Sequence, residues 1–116
     1  MTDAAKVQQL PVTTEQSKDV LTDLLQQTGF DGKPLVSEKL AAMLTARVEL
    51  GFKKYGKRLE SFNGRDVFLD IRQELLDEVM YNHQGTMQGY RLAHLRNRAI
   101  KSLEELDRIE EAYGAS

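Results

Sequence analysis

Asp66, Asp70, Glu74, Asp77 and Tyr81 recur at spacings of four, four, three and four residues. On an α-helix of about 3.6 residues per turn, that spacing lines them up along one narrow stripe. No Lys or Arg falls within the stripe, and Glu78 stands just beside it. Like charges a turn apart repel by roughly 0.2–0.5 kcal/mol per pair, so a helix that keeps several together suits a cation. The chemistry such a stripe offers is a site for magnesium or manganese. These hard divalent ions take oxygen ligands, and several carboxylates balance the charge of metal plus phosphate. Glu74 and Asp77, one turn apart, reach a common ion, and Asp70 lies a further turn back. One helix seldom completes the shell. Glu49, beside the small residues Ala42, Thr45 and Ala46, is the best carboxylate to complete it from a neighbouring helix. The competing reading is a solvated helix face, and for Glu49 an ordinary i,i+4 pair with Lys53. Against the first stands charge segregation: solvated faces usually mix signs, and Arg72 is directed to the apolar side instead.

Four helical segments must position these residues. Residues 1–12 have no sustained period and read as a flexible N-terminal arm, with a single all-α domain over 13–116. Thr13-x-x-Gln16 has the capping-box pattern, and Val20, Leu21, Leu24 and Leu25 predict a short helix ending near Thr28-Gly29. Ser37 is a candidate N-cap for a second helix through Leu40, Met43, Leu44, Val48, Phe52 and Tyr55, closed by Gly56. A basic loop, Lys57 to Gly64, leads to a third helix from Arg65 or Asp66 to Asn82 or His83. Its Phe68, Leu69, Ile71, Leu75, Leu76, Val79 and Met80 lie away from the acids. Gln84 to Gly89 reads as a weak point. The last helix carries Leu92, Leu95, Ala99, Leu103, Leu106, Ile109 and Tyr113, a packing seam that also suits a dimer. With no β alternation of useful length, an all-α bundle of four to five helices is expected.

Composition excludes several function classes. The 116 residues carry 18 acidic and 16 basic side chains, a near balance that argues against general nucleic-acid coating. There is no Cys, hence no disulfide, thiolate metal site or Cys nucleophile. No apolar run approaches membrane-spanning length and no leader pattern follows Met1, so a cytoplasmic protein without a membrane partner is expected. The sequence has no phosphate-binding Gly-rich loop, no dinucleotide fingerprint and no nucleophile elbow. His83 and His94 form no ligand motif and read as structural or exposed.

The segments ARVELGFKKYG (46–56) and NGRDVFLDIRQELLDEVMY (63–81) resemble the all-α nucleoside triphosphate pyrophosphohydrolases. These are the MazG-like enzymes, related to dimeric dUTPases, and the likeness is to small phage-type members. It covers about residues 37 to 83. It implies an all-α bundle that works as a dimer or tetramer. The implied activity is magnesium-dependent cleavage of a nucleoside triphosphate to monophosphate and pyrophosphate, in the host cytoplasm if the chain is of phage origin. The family pattern is Glu-x-x-Glu on one helix and Glu-x-x-Asp on the next. Glu74-Leu75-Leu76-Asp77 matches the second half, whereas Ala46 and Phe52 stand where a partner acid for Glu49 would be.

The expected metal ligands are therefore Glu49, Glu74, Asp77 and Asp70. A non-ligating carboxylate, Asp70 or Glu78, would take the proton of the attacking water. Lys53, Lys54, Arg58 and Arg65 are candidates to hold the triphosphate, Asn63 to read a base or sugar edge, and Tyr81 to stack on a base. The plain readings are solvated cations, a turn signal and core packing. Two alternatives remain. The first is a protein that binds and sequesters a nucleotide or nucleotide signal without cleaving it, as a phage would against a host defence. The second is a helical interaction module with a wet acidic face.

Overall fold

The computed structural model describes residues 7–114. Among them it forms four helices and no strand: α1 (Val20–Gln26), α2 (Glu38–Tyr55), α3 (Val67–Met87) and α4 (Ala93–Gly114). The all-α expectation holds. The chain divides into two compact units, Leu10–Gly64 with α1 and α2, and the described residues up to Gln9 with those from Arg65 onward, which hold α3 and α4.

In the first unit the Thr13-x-x-Gln16 box does not cap a helix. Thr13 Oγ1 instead donates to Glu60 (2.6 Å), and Thr14 to Ser17 closes a turn, with the Thr14 N–H on Ser17 Oγ (2.9 Å). The helix begins later, with Asp19 as N-cap. The Asp19 carboxylate accepts from the N–H (2.9 Å) and the hydroxyl (2.7 Å) of Thr22, satisfying donors the first turn leaves without partners. Residues 12–20 are thereby left to pair with the loop before α3. The Val20 N–H donates to Leu59 O (3.0 Å), the Ser61 N–H to Lys18 O (2.9 Å) and the Val12 N–H to Asn63 O (2.9 Å). The Thr14 and Ser17 hydroxyls both donate to Phe62 O at 3.2 Å, which holds Phe62 in the left-handed region at φ 48°. Helix α2 starts and stops where its sequence says: Ser37 Oγ accepts from the Leu40 N–H (3.2 Å), and Gly56 closes the helix at φ 74°, a conformation that costs glycine nothing. Leu21 is buried here, while Met43, Leu50, Phe52 and Tyr55 stay exposed.

In the second unit α3 and α4 pack extensively as a helical hairpin. Partners run in opposite directions: Gly85 meets Leu92, His83 meets Arg96, and Arg72 reaches Asp107 and Glu110. Asp66 caps α3, its carboxylate accepting from the Leu69 N–H (3.2 Å). The helix continues past the expected end at Asn82 or His83, through Gly85, to Met87. Gly85 does not break it, because the missing side chain is used in packing. A Cβ there would lie 2.3 Å from Leu92 Cδ1, so a larger residue would force the Leu92 side chain to shift from its place over the last turn. Gly85→Ala should therefore destabilise the hairpin by about 1 kcal/mol net, overpacking outweighing the helix-propensity gain. Leu92→Ala in the same chain should recover the difference in a thermal double-mutant cycle. Leu69, Ala99 and Leu106 form the apolar core of this unit, and Arg72 is buried with them.

The first six residues of the expected N-terminal arm lie outside the described residues. Val7 to Val12 has no regular structure, and Gln8, Gln9 and Val12 within it make hydrogen bonds. Among the described residues no helix is long and apolar enough to cross a membrane.

Candidate functional site

The acidic stripe lies on the face of α3 turned away from α4. Leu69 and Arg72 mark the buried side, whereas Glu74, Asp77, Glu78 and Tyr81 are exposed. Asp66 and Asp70 at its start are already engaged. Asp66 is the cap. The Asp70 carboxylate takes a two-pronged ion pair from Arg65, Nη2 to Oδ1 at 2.7 Å and Nε to Oδ2 at 3.1 Å. Gln8 adds a third donor, Nε2 to Oδ1 at 2.8 Å. The same Gln8 amide pairs with the backbone of Asp66, accepting from its N–H and donating to its carbonyl at 3.2 Å. Arg65 Nη1 also donates to the Gln9 carbonyl (2.7 Å). The hydrogen bond to Asp70 raises the Arg65 pKa above the ordinary guanidinium value, against the effect of burial.

Two of the four candidate phosphate-binding cations thus have other work. Arg65 holds Asp70. Arg58 braces the start of α1, with Nε 2.8 Å from Asp19 Oδ1 and Nη2 3.1 Å from Oδ2. Lys53 and Lys54 are exposed on the last turn of α2, Lys54 Nζ standing 5.2 Å from the centre of the Tyr55 ring. Asn63 is half-buried, its carbonyl accepting from the Val12 N–H (2.9 Å). Tyr81 is exposed rather than packed.

Glu49 is exposed on α2, and its charge helps raise the Arg58 pKa, chiefly set by the hydrogen bond to Asp19. Among the described residues no ion pair joins Glu49 to Lys53. Glu49 belongs to one compact unit, and Asp70, Glu74, Asp77 and Glu78 to the other. Among the described residues no three carboxylate or imidazole side chains come together as a metal-binding group.

Asp19 carries a pH prediction. The Arg58 guanidinium, then the Thr22 hydroxyl and N–H, hold its carboxyl well below the usual carboxylate range. A depressed folded-state pKa gives stability that is complete above the unfolded value of about 4 and is lost as pH falls below it toward the folded value. Loss of the cap in Asp19→Ala should cost about 1 kcal/mol at neutral pH. The gap between variant and wild type should close below about pH 4 in urea titrations.

Gln8 was not foreseen as a partner of the acids. Its only sequence signal is an amide in a segment without period.

These features define an all-α chain of two compact helical units with one carboxylate-rich face. No protein-family model matches the chain, and no solved structure matches it. Among curated proteins it is similar to lanosterol 14-alpha demethylase of Rattus norvegicus, 30% identical over 103 residues. That alignment takes in 88% of this chain and 20% of the relative, so the chain spans about a fifth of the length of the protein it matches.

Proposed function

We propose that the protein is a magnesium-dependent nucleotide pyrophosphohydrolase that cleaves a ribo- or deoxyribonucleoside triphosphate to monophosphate and pyrophosphate. The observation that carries this reading is the exposed face of Glu74, Asp77 and Glu78 on α3, opposite the packed face and without a basic residue. The resemblance of residues 46–56 and 63–81 to the MazG-like enzymes supports it. The likeness to a fifth of a lanosterol demethylase assigns no activity to these residues.

The donor set fits a hard divalent cation in chemistry and falls short of it in number. Glu74 and Asp77 offer carboxylate oxygens one turn apart, while Asp70 is paired and Glu49 belongs to the other unit. The remaining ligands would come from a second copy. When bound, the ion supplies charge neutralisation at phosphate oxygens and a more acidic water. The chain's own contribution on this face is Glu78, exposed beside the stripe as the proposed proton acceptor. Tyr81 presents a ring for stacking. Self-association into a dimer or tetramer is part of the proposal. Met80 at 71% exposure, Leu95 at 46% and Tyr113 at 76% leave apolar side chains exposed on α3 and α4.

The test is incubation with a panel of triphosphates and magnesium, separating pyrophosphate from orthophosphate. Pyrophosphate in step with nucleoside monophosphate is expected; none from any substrate would remove the enzyme reading. The pairing of Asp70 favours a second reading, nucleotide sequestration without turnover. Intact nucleotide recovered from a denatured complex would establish that one instead.

A further inference from the structure

Helix α4 has two seams. One packs on α3 through the buried Ala99 and Leu106. The other runs along its outer side as Leu95, Arg98, Ser102, Glu105, Ile109 and Ala112, all six of them exposed. Their spacing of three, four, three, four and three keeps them on one stripe, the period by which two helices pack along their length. We propose that this outer seam is where two copies of the chain meet, α4 against α4, antiparallel about a two-fold axis near Ser102. The inference rests on the proposed function only for its expectation of self-association, and it adds the surface on which that happens.

The order of charges along α4 selects both the occupant and its direction. Residues 91–103 carry Arg91, Arg96, Arg98 and Lys101 and no acid. Residues 104–114 carry Glu104, Glu105, Asp107, Glu110 and Glu111 against a single base, Arg108. The helix macrodipole favours the reverse order, with acids in the first turn and bases in the last, and α4 has neither. The pattern therefore works against the isolated helix. Packing on α3 does not account for it either, because the acidic half of α4 runs beside the acidic start of α3. Among the described residues, Arg72 pairs with Asp107 and Glu110 there, while Arg98, Lys101, Glu104, Glu105 and Glu111 join no ion pair. A second α4 laid antiparallel sets each basic half against an acidic half. Arg98 of one copy then stands beside Glu105 of the other, twice over by symmetry. Parallel pairing would set like charge against like, which disfavours it. The antiparallel arrangement also lays the exposed Leu95 of one copy along the exposed Ile109 and Tyr113 of the other. Ser102, small and close to the axis, lets the two helices approach.

The test is sedimentation velocity on the full chain, with circular dichroism to show that each variant is folded. Wild type should sediment as a dimer. Arg98→Glu and Glu105→Arg each create two like-charge contacts across the axis and should weaken the dimer by about tenfold or more. An equimolar mixture of the two variants should re-form dimers at close to wild-type affinity, since each copy supplies the charge the other lacks. The chain has no Cys, so Ser102→Cys gives a second readout that leaves the charges alone. Oxidation should link it into a covalent dimer, whereas Asn97→Cys, on another side of α4, should stay unlinked. A monomeric wild type would overturn the interface. So would a dimer that both charge reversals leave intact, a mixture that does not re-associate, or Ser102→Cys linking no faster than Asn97→Cys. A chain that fails in any of these ways and still releases pyrophosphate overturns this interface alone. A chain that passes them and releases none overturns the proposed activity alone.

Discussion

Replacing Arg72 by Ala should destabilise the α3–α4 hairpin by about 3 kcal/mol, a large part of the stability of a small domain. Arg72 is only 6% exposed, and its Nη2 donates to both Asp107 and Glu110 at 2.8 Å. Burial works against its charge, and the two carboxylates outweigh that penalty, leaving its pKa raised. Truncation would remove the aliphatic stem from the core and take the Arg72 hydrogen bond from Glu110, 18% exposed. Asp107 is 43% exposed and regains water, which places the cost at the lower end of the range of about 3–5 kcal/mol for breaking a buried pair. Among the described residues Arg72 Nη1 has no hydrogen-bond partner, a buried donor that itself costs on the order of 1–3 kcal/mol. Arg72→Met keeps the stem and removes that unsatisfied donor, so it should lose less than Arg72→Ala. Circular-dichroism melts should show a fall of about 10–20 °C for Ala and markedly less for Met. An Arg72→Ala protein melting within a few degrees of wild type would show that the buried pair does not hold the hairpin together.

What the sequence makes legible is local chemistry. Ser37 and Gly56 act at helix ends through groups three or four residues away, and each sits where its type and spacing place it. Arg72 falls on the apolar side because helical periodicity alone decides the face. The misreadings share a non-local cause. Thr13 fails as a cap because Glu60, far along the chain, offers its hydroxyl a partner. Gly85 looks like a breaker until Leu92 is seen to need the space above it. Gln8 latches Asp70 across 62 residues, and nothing in a segment without period announces that. Within the site, the wet acidic face was readable because it belongs to one helix. The pairing of Asp70 with Arg65 was open to the same reasoning, since the two are five residues apart, but each was assigned to an external ligand first. A carboxylate partner from another helix depends on contacts between residues far apart in the chain, which no spacing within a helix encodes.

Neutralising Glu74 and Asp77 together, as Glu74→Gln with Asp77→Asn, should separate function from stability more cleanly than any other change. Both side chains are exposed on the face of α3 opposite α4, and neither caps the helix nor joins one of the four ion pairs found among the described residues. Their mutual repulsion costs the helix a few tenths, roughly 0.2–0.5 kcal/mol, so removing it should leave the melting temperature unchanged or slightly higher. Under the proposed function the same change removes the charge that offsets cation and phosphate, and pyrophosphate release should fall by about 10²–10³-fold or more. Asp70→Asn should behave differently, because that carboxylate holds Arg65 and Gln8: some stability is lost along with activity. A wet acidic face with no chemistry predicts the same slightly steadier protein but no change in pyrophosphate release. Steady-state release and thermal melts on the same three proteins decide between them, since acids kept together against their own repulsion should be stabilising only when something positive is bound.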